Sequence, residues 1–475
     1  MLSPNKTSTR VEPRPLAVAK PKDQILYYLV LVYIALWIFE GGLRRWILPS
    51  LSNPLLLIRD PLVVLIYSVA AAMRRFPFNI FISSAIGLAL LEAAIVPFGH
   101  GNPIVGAYGI RSDFLHVPMI FIIGRTLTPA RLMTVCQAAV ILSIPYTLLL
   151  VAQFYSPQSA WVNRGLGGSL EGAGFSGAEG KFRPPGTFSF ITGPAALYPM
   201  FAACWFLYVY KSESKFASLL GSVSALAIFV AIPVSISRSL FISVLLVVVA
   251  GVATGPLRFG IRLQAHTAIV LLGAIFLAPL ALTIPAVQDG LFAFSSRWTA
   301  STTSEGGVQV AILQRFYDGT LGVVLDPNIP FFGSGTGFST NVGQQQLRSF
   351  VGFGNSEGEF GRLLYDNGVV VGGFLLMYRV ALALFLASRS FHGWFRNDQI
   401  AFVFLMASFL LVLMGQWSQT TAQGAATIAA GLTLAACRPQ PTEKPIKRRN
   451  QKKLLAPRTK HNAQRTTHQA LSTKH

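Results

Sequence analysis

The stretch Gly352-Phe-Gly-Asn-Ser-Glu-Gly-Glu-Phe-Gly-Arg-Leu-Leu-Tyr-Asp-Asn-Gly-Val-Val-Val-Gly-Gly373 passes from a polar, glycine-rich loop into an apolar run. It places Glu357, Glu359, Arg362 and Asp366 at a membrane boundary. An unpaired charge at that depth costs about 2.5 to 3.5 kcal/mol on insertion scales, so such a group marks a polar cavity. Helical spacing puts Glu359, Arg362 and Asp366 on one face, with Glu357 and Gly361 on another. Carboxylates here also meet the positive end of the helix dipole. For Glu359 a plainer reading stands beside this one, a helix start carrying a surface pair with Arg362.

Working outward, the whole chain is written in the same apolar vocabulary. Its 475 residues are 52% hydrophobic and only 12% charged, with a mean hydropathy of +0.53. A soluble domain carries about 25% charged residues, so the expected fold is an all-α polytopic membrane protein. Runs of about 18 to 25 apolar residues can cross the hydrocarbon core as helices. About twelve are expected, near 25–43, 54–72, 78–97, 112–125, 132–155, 190–210, 217–235, 239–254, 266–285, 362–388, 400–416 and 420–437. The expected organisation is a tail over 1–24, a transmembrane domain over 25–437 and a basic tail over 438–475. Few apolar residues in that last segment point to disorder and association with lipid.

The formal net charge is +21. In a membrane protein this implies loops facing anionic lipid before it implies nucleic acid, and no nucleic-acid partner is assigned. With the N-terminus inside, the inner segments hold Arg74, Arg75, Arg125, Arg131, Lys211, Lys215, Arg258, Arg262, Arg389, Arg396 and the basic tails. That is about two thirds of the lysines and arginines, so both termini are expected to be cytoplasmic. The apolar run after the N-terminal tail ends at Glu40 without a small-residue cleavage site, which reads as an uncleaved first span. Cys136, Cys204 and Cys437 lack metal or disulfide spacing, and the seven histidines form no metal motif. Neither a metal nor a cofactor is expected.

Two outward loops are expected, one medium (about 156–189) and one large (about 286–361). The first is rich in glycine, which suits a mobile loop better than a packed module. In the second, Val308, Ala311, Ile312, Arg315 and Phe316 fall at the spacing of a short amphipathic helix on the membrane surface. Topology leaves several positive charges unexplained: Arg183, Arg238, Arg297, Arg315, Arg348 and Arg362. Singly, each reads as an arginine reaching toward lipid headgroups. Together, several guanidiniums at one face suit bidentate binding of a phosphate or pyrophosphate, and the natural anion there is a lipid-linked pyrophosphate.

At these residues the chain resembles the O-antigen ligase and polymerase superfamily of bacterial envelope glycosyltransferases. The resemblance covers roughly 180–375. It rests on Arg183-Pro-Pro-Gly-Thr-Phe before an apolar span, Ser237-Arg238-Ser239 opening another, the loop with Arg297 and Arg315, and Pro330-Phe-Phe-Gly-Ser-Gly-Thr-Gly337. A polar residue then precedes Gly368-Val-Val-Val-Gly372, and Tyr108-Gly-Ile-Arg111 is a weaker echo. Where the ligase pattern has His-Asn or similar, this chain has Glu357, eleven residues before Gly368. This fits a polymerase-like or divergent member better than a core ligase.

The resemblance implies a bacterial inner-membrane enzyme that transfers or polymerises an undecaprenyl-pyrophosphate-linked oligosaccharide onto an acceptor saccharide, with inversion and without a metal. Such chemistry needs a base at the acceptor hydroxyl and positive charge at the leaving pyrophosphate. Glu357 is assigned the base role. Arg183, Arg238, Arg297 and Arg315 are assigned to the pyrophosphate, and Glu359, Arg362 and Asp366 to support. Anionic lipid and other polysaccharide-assembly proteins are further expected partners. Two alternatives are carried forward: a transporter or flippase of the same lipid-linked oligosaccharide, and a membrane scaffold. Against the transporter, no internal repeat is found, and Arg59-Asp60-Pro61 inside the second span reads as an internal ion pair.

Overall fold

The computed structural model describes residues 21–438, apart from residue 213 and the segments 259–278, 280–281, 305–316, 318–319, 321, 328, 348–357 and 396–398. These all belong to one compact unit, Met1–Arg438. In chain order the helices are α1 (Pro21–Gly42), α2 (Ser52–Leu55), α3 (Arg59–Ala72), α4 (Ile80–Ile95), α5 (Pro103–Phe114), α6 (Val117–Thr126) and α7 (Pro129–Tyr155). A two-stranded ribbon, β1 (Phe175–Ser176) and β2 (Phe182–Arg183), follows. Then come α8 (Thr192–Lys211), α9 (Lys215–Val234), α10 (Arg238–Arg258), α11 (Pro285–Ser304), α12 (Asn341–Gln346), α13 (Glu359–Phe395), α14 (Ile400–Met414) and α15 (Thr420–Ala436).

Helix falls at every expected span but the ninth, 266–285, most of which lies outside the described residues. Five helices are long and apolar enough to cross a membrane, or six if the pair Pro49–Leu55 and Arg59–Ala72, bent by 46°, is one span. The rest are shorter or more polar, so the fold is that of a helical membrane protein and about twelve crossings stays an expectation. The expected fourth span is broken at Leu115–His116 into α5 and α6, of 12 and 10 residues. Local chemistry sets many of the starts. The side chains of Asn79, Asn102, Thr128 and Ser214 accept backbone N–H groups of α4, α5, α7 and α9. Pro103 and Pro129 follow two of these caps, where a missing N–H costs nothing.

The most enclosed helix is α8, buried almost throughout although it carries tyrosines and a tryptophan. Each polar tip finds an acceptor or partner: Tyr198 with Thr147 at 2.8 Å, Trp205 to the Gly221 carbonyl at 2.7 Å, Tyr210 to the Gly251 carbonyl at 2.5 Å. Small residues govern the other close approach, where Gly124 of α6 faces Leu434 and Gly431 of α15 faces Ile123.

Arg59 and Asp60 do not form the internal pair expected from their adjacency. Arg59 turns to Glu40 on α1 at 3.2 Å, and Glu40 also meets Arg44. Asp60 takes a bidentate grip from Arg111 at 2.5 and 2.9 Å and a contact from His116 at 3.1 Å. With that His116 nitrogen donating to the carboxylate, the other, 2.8 Å from Tyr33, accepts the phenol proton. Successive helix residues point about 100° apart, so each charge meets a different neighbouring helix.

The glycine-rich segment 156–189, read from its composition as a mobile loop, is tied down at both ends, where Asn163, Gly165 and residues 184–188 are buried. Arg45, 1% exposed, donates to the carbonyls of Val162, Arg164, Gly186 and Phe188 at 2.6 to 3.2 Å. Gln153 bonds both the N–H and the carbonyl of Gly186, and Asn163 returns to the carbonyls of Gln153, Ser156 and Pro157. Glycine content reports backbone freedom of the unfolded loop, and these side chains remove it.

A second loop docks on a break in α13. Gly368 leaves the helix at φ 74, and its hydrogen occupies the space where a Cβ would strike the Phe331 carbonyl. The carbonyls of Tyr365 and Asp366 then accept the N–H groups of Ser334 and Gly335, at 2.8 and 2.9 Å. Gly333–Gly337 is therefore a cap for the interrupted helix, which solves the orphan-carbonyl problem where water is scarce.

Candidate functional site

The segment anchored by Arg45 presents the ribbon β1–β2, in which Phe175 pairs with Arg183 and Ser176 with Phe182. Arg183 Nε donates to the Ser176 carbonyl at 3.0 Å, and its guanidinium lies 4.5 Å from the centre of the Phe175 ring. Between α9 and α10 the chain turns at Ser235–Ser237. Ile236 there holds φ 48, a left-handed conformation strained for a β-branched residue. Ser235 Oγ accepts the Ser237 N–H, and Ser237 Oγ accepts that of Leu240, so the serines secure the turn from which Arg238 starts α10. The Ile236 carbonyl accepts Arg297 of α11 at 3.0 Å.

Three chain-distant arginines thus meet. Burial first, then the like charges of Arg297 and Arg238, bring the Arg183 pKa down to about 10, which leaves it a cation at neutral pH. All three are half-buried, so an anion could reach them. Lys181 lies over the rings of Phe154 and Tyr155 at 4.9 and 4.8 Å. The nearby Glu179 accepts a hydrogen bond from Ser296 at 2.5 Å. Such a half-buried guanidinium cluster is suited to holding phosphate oxygens bidentately.

The cluster at the start of α13 is built differently. Arg362, 4% exposed, reaches Asp113 of α5 at 2.6 and 3.3 Å and Glu359 at 2.9 and 3.0 Å. Glu359 also accepts Arg379 at 3.0 Å and the Trp417 N–H at 3.3 Å. Arg379 spends its other donors on the carbonyls of Val412 and Gly415 and stacks 3.7 Å from the Trp417 ring centre. Asp366, fully buried, accepts the Ser339 hydroxyl and N–H. Glu92 lies beside this group, within reach of the charges of Asp113, Arg362 and Asp366. Among the described residues neither of its carboxyl oxygens has a hydrogen-bond partner.

Of the expected site residues, the fold therefore brings Arg183, Arg238 and Arg297 together, and Glu359, Arg362 and Asp366 together. Glu357, Arg315, Arg348 and the amphipathic segment 308–316 lie outside the described residues. Among the described residues no group of His, Cys, Asp or Glu side chains has a metal-holding arrangement.

The chain matches no family model and no curated protein. The site is thus read from its own chemistry.

Sequence reasoning passed over Asp113, Arg379, Glu92 and Arg45. A signal was present for each, a charge inside or at the end of an apolar run, but its partner lies far along the chain. Only the fold shows that Arg379 and Asp113 complete the circuit begun at Glu359.

Proposed function

We propose that the protein is an integral membrane glycosyltransferase. It transfers or polymerises an undecaprenyl-pyrophosphate-linked saccharide at the outer face of the cytoplasmic membrane, polymerisation being favoured over core ligation. The observation that carries this reading is the meeting of Arg183, Arg238 and Arg297 from three separate segments around a strained, serine-braced turn. In this reading Glu357 takes the proton from the acceptor hydroxyl, whose oxygen attacks the anomeric carbon from the face opposite the leaving group. The bond to the pyrophosphate breaks, and the pyrophosphate carries its charge into the guanidinium cluster, with Arg315 as a fourth candidate. Positive charge placed where negative charge develops accelerates such a step, by 10²–10³ per donor in well-studied cases. The test is purified protein in liposomes with a labelled undecaprenyl-pyrophosphate oligosaccharide. New glycosidic linkage is expected from the wild type, and little from Glu357→Gln or Arg238→Ala at equal protein level. Full activity in both variants would remove the assignment.

A second reading, movement of the same lipid without chemistry, draws on the buried charges of α1, α3, α4, α5 and α13, because transport paths carry ionisable groups inside many spans. Labelled lipid that crosses the bilayer in the same liposomes without acquiring a linkage would select it.

A further inference from the structure

Away from the arginine cluster, the ends of four helical segments enclose a pocket of about 500 Å³. Its polar lining is Asp23 at the start of α1, Arg74 and Arg75 just after α3, Arg125 to Arg131 across the α6–α7 junction, and Arg438 after α15; Leu26 and Ile122 supply an apolar floor. Five guanidiniums face one carboxylate. Asp23 is engaged by Arg75 at 2.6 Å.

Three guanidiniums of the wall are fixed by the fold. Arg75 pairs with Asp23, Arg131 donates to the carbonyls of Thr126 and Asp23, and Arg438 to those of Arg125 and Leu127. Burial and the neighbouring Arg125 both push the Arg438 pKa below the ordinary guanidinium value. The side chains of Arg74 and Arg125 have no hydrogen-bond or ion-pair partner among the described residues, and both residues are exposed.

The backbone under Arg74 is also informative. Arg74 N–H bonds the Ala71 carbonyl and Arg75 N–H bonds the Ala70 carbonyl. This is the paired closure of a helix end whose left-handed residue is ordinarily glycine. Here that residue is arginine, at φ 53. A side chain is retained where the backbone would prefer none, and it lines the pocket.

We propose that this pocket binds a phosphate-bearing anion, and that its source is an anionic phospholipid headgroup. The pocket lies at the ends of apolar helices, the level at which lipid phosphates sit. Basic pockets between transmembrane helices take anionic headgroups. All five arginines belong to segments that the charge count assigns to the cytoplasmic side, so the site is separate from the one proposed for glycosyl transfer.

The full chain, purified in detergent, is titrated with short-chain phosphatidylglycerol, short-chain phosphatidylcholine and inorganic phosphate, with bound lipid counted by native mass spectrometry and stability followed by thermal melting. Phosphatidylglycerol is expected to bind and raise the melting temperature, phosphatidylcholine to do neither, and inorganic phosphate to compete. The double variant Arg74→Gln, Arg125→Gln should melt like the wild type without lipid and lose affinity on the order of tenfold or more. The exposed Arg389→Gln should lose none. Equal retention of phosphatidylglycerol by the double variant overturns the proposal. Binding of inorganic phosphate alone, reduced in the double variant, upholds the anion site and rejects lipid as its source.

Discussion

Arg362 and Arg183 are both arginines that the fold sets beside other charged side chains, yet their surroundings differ in kind. Arg362 is enclosed, with Asp113 and Glu359 occupying its donors and Arg379 completing the circuit. Arg183 is half-buried and its charged neighbours, Arg238 and Arg297, are of its own sign. Closed pairing of opposite charges in a low-dielectric interior holds helices in register. Like charges gathered near the surface are stabilised by negative charge, which an incoming anion can supply. The charges at the start of α13, the most conspicuous in the sequence, are thus built like a brace, whereas the scattered arginines form the arrangement suited to a ligand.

Substitutions can break this comparison. The largest effect on stability is expected from Arg362→Met, which leaves Asp113 buried without its cation and Glu359 with Arg379 alone, and should cost about 3 to 5 kcal/mol, read as lost monodisperse protein or a lower melting temperature. A variant as stable as wild type would mean that the brace is not one. Next, Arg238→Ala should lower transfer by about 10²–10³ while its melting temperature barely moves, the reverse of the Arg362 pattern. Arg45→Met takes the donor from the carbonyls of Arg164 and Phe188 and leaves those of Val162 and Gly186 to Gln153, at about 1 to 3 kcal/mol for each left without a partner, and should expose the 156–189 segment to limited proteolysis. Gly368→Ala forces a Cβ onto the Phe331 carbonyl at a left-handed position and should cost about 1 to 3 kcal/mol by thermal melting. The mildest is Arg183→Lys, which keeps the charge but loses the fork and the stacking on Phe175. A few-fold rise in KM is the expected result, and none would place Arg183 outside the site.

The apolar runs made most helices legible in the sequence, because enough consecutive nonpolar residues in lipid leave the backbone little choice but helix. Helical periodicity also set Glu359, Arg362 and Asp366 on a shared face, and they meet there. What periodicity cannot supply is the identity of a partner on another helix. Arg59 was assigned to its neighbour Asp60 and instead meets Glu40. The 156–189 segment shows the same gap, since its glycines are visible locally while the arginine that fixes it lies more than a hundred positions earlier. The glycines of Gly333–Gly337 signal a turn locally, and the segment's second task, capping α13 at Gly368, depends on a contact no local pattern encodes.

The four hydrogen bonds from Arg45 to the 156–189 segment all end on main-chain oxygens. An anchor of that kind is indifferent to which amino acids it holds. The ribbon that carries Arg183 can therefore be rewritten, by drift or by design, without loosening its attachment. The anchorage and the recognition surface are under separate control, so an exchange of residues 175–183 with a different hairpin is a practical route to altered ligand preference on an unchanged frame.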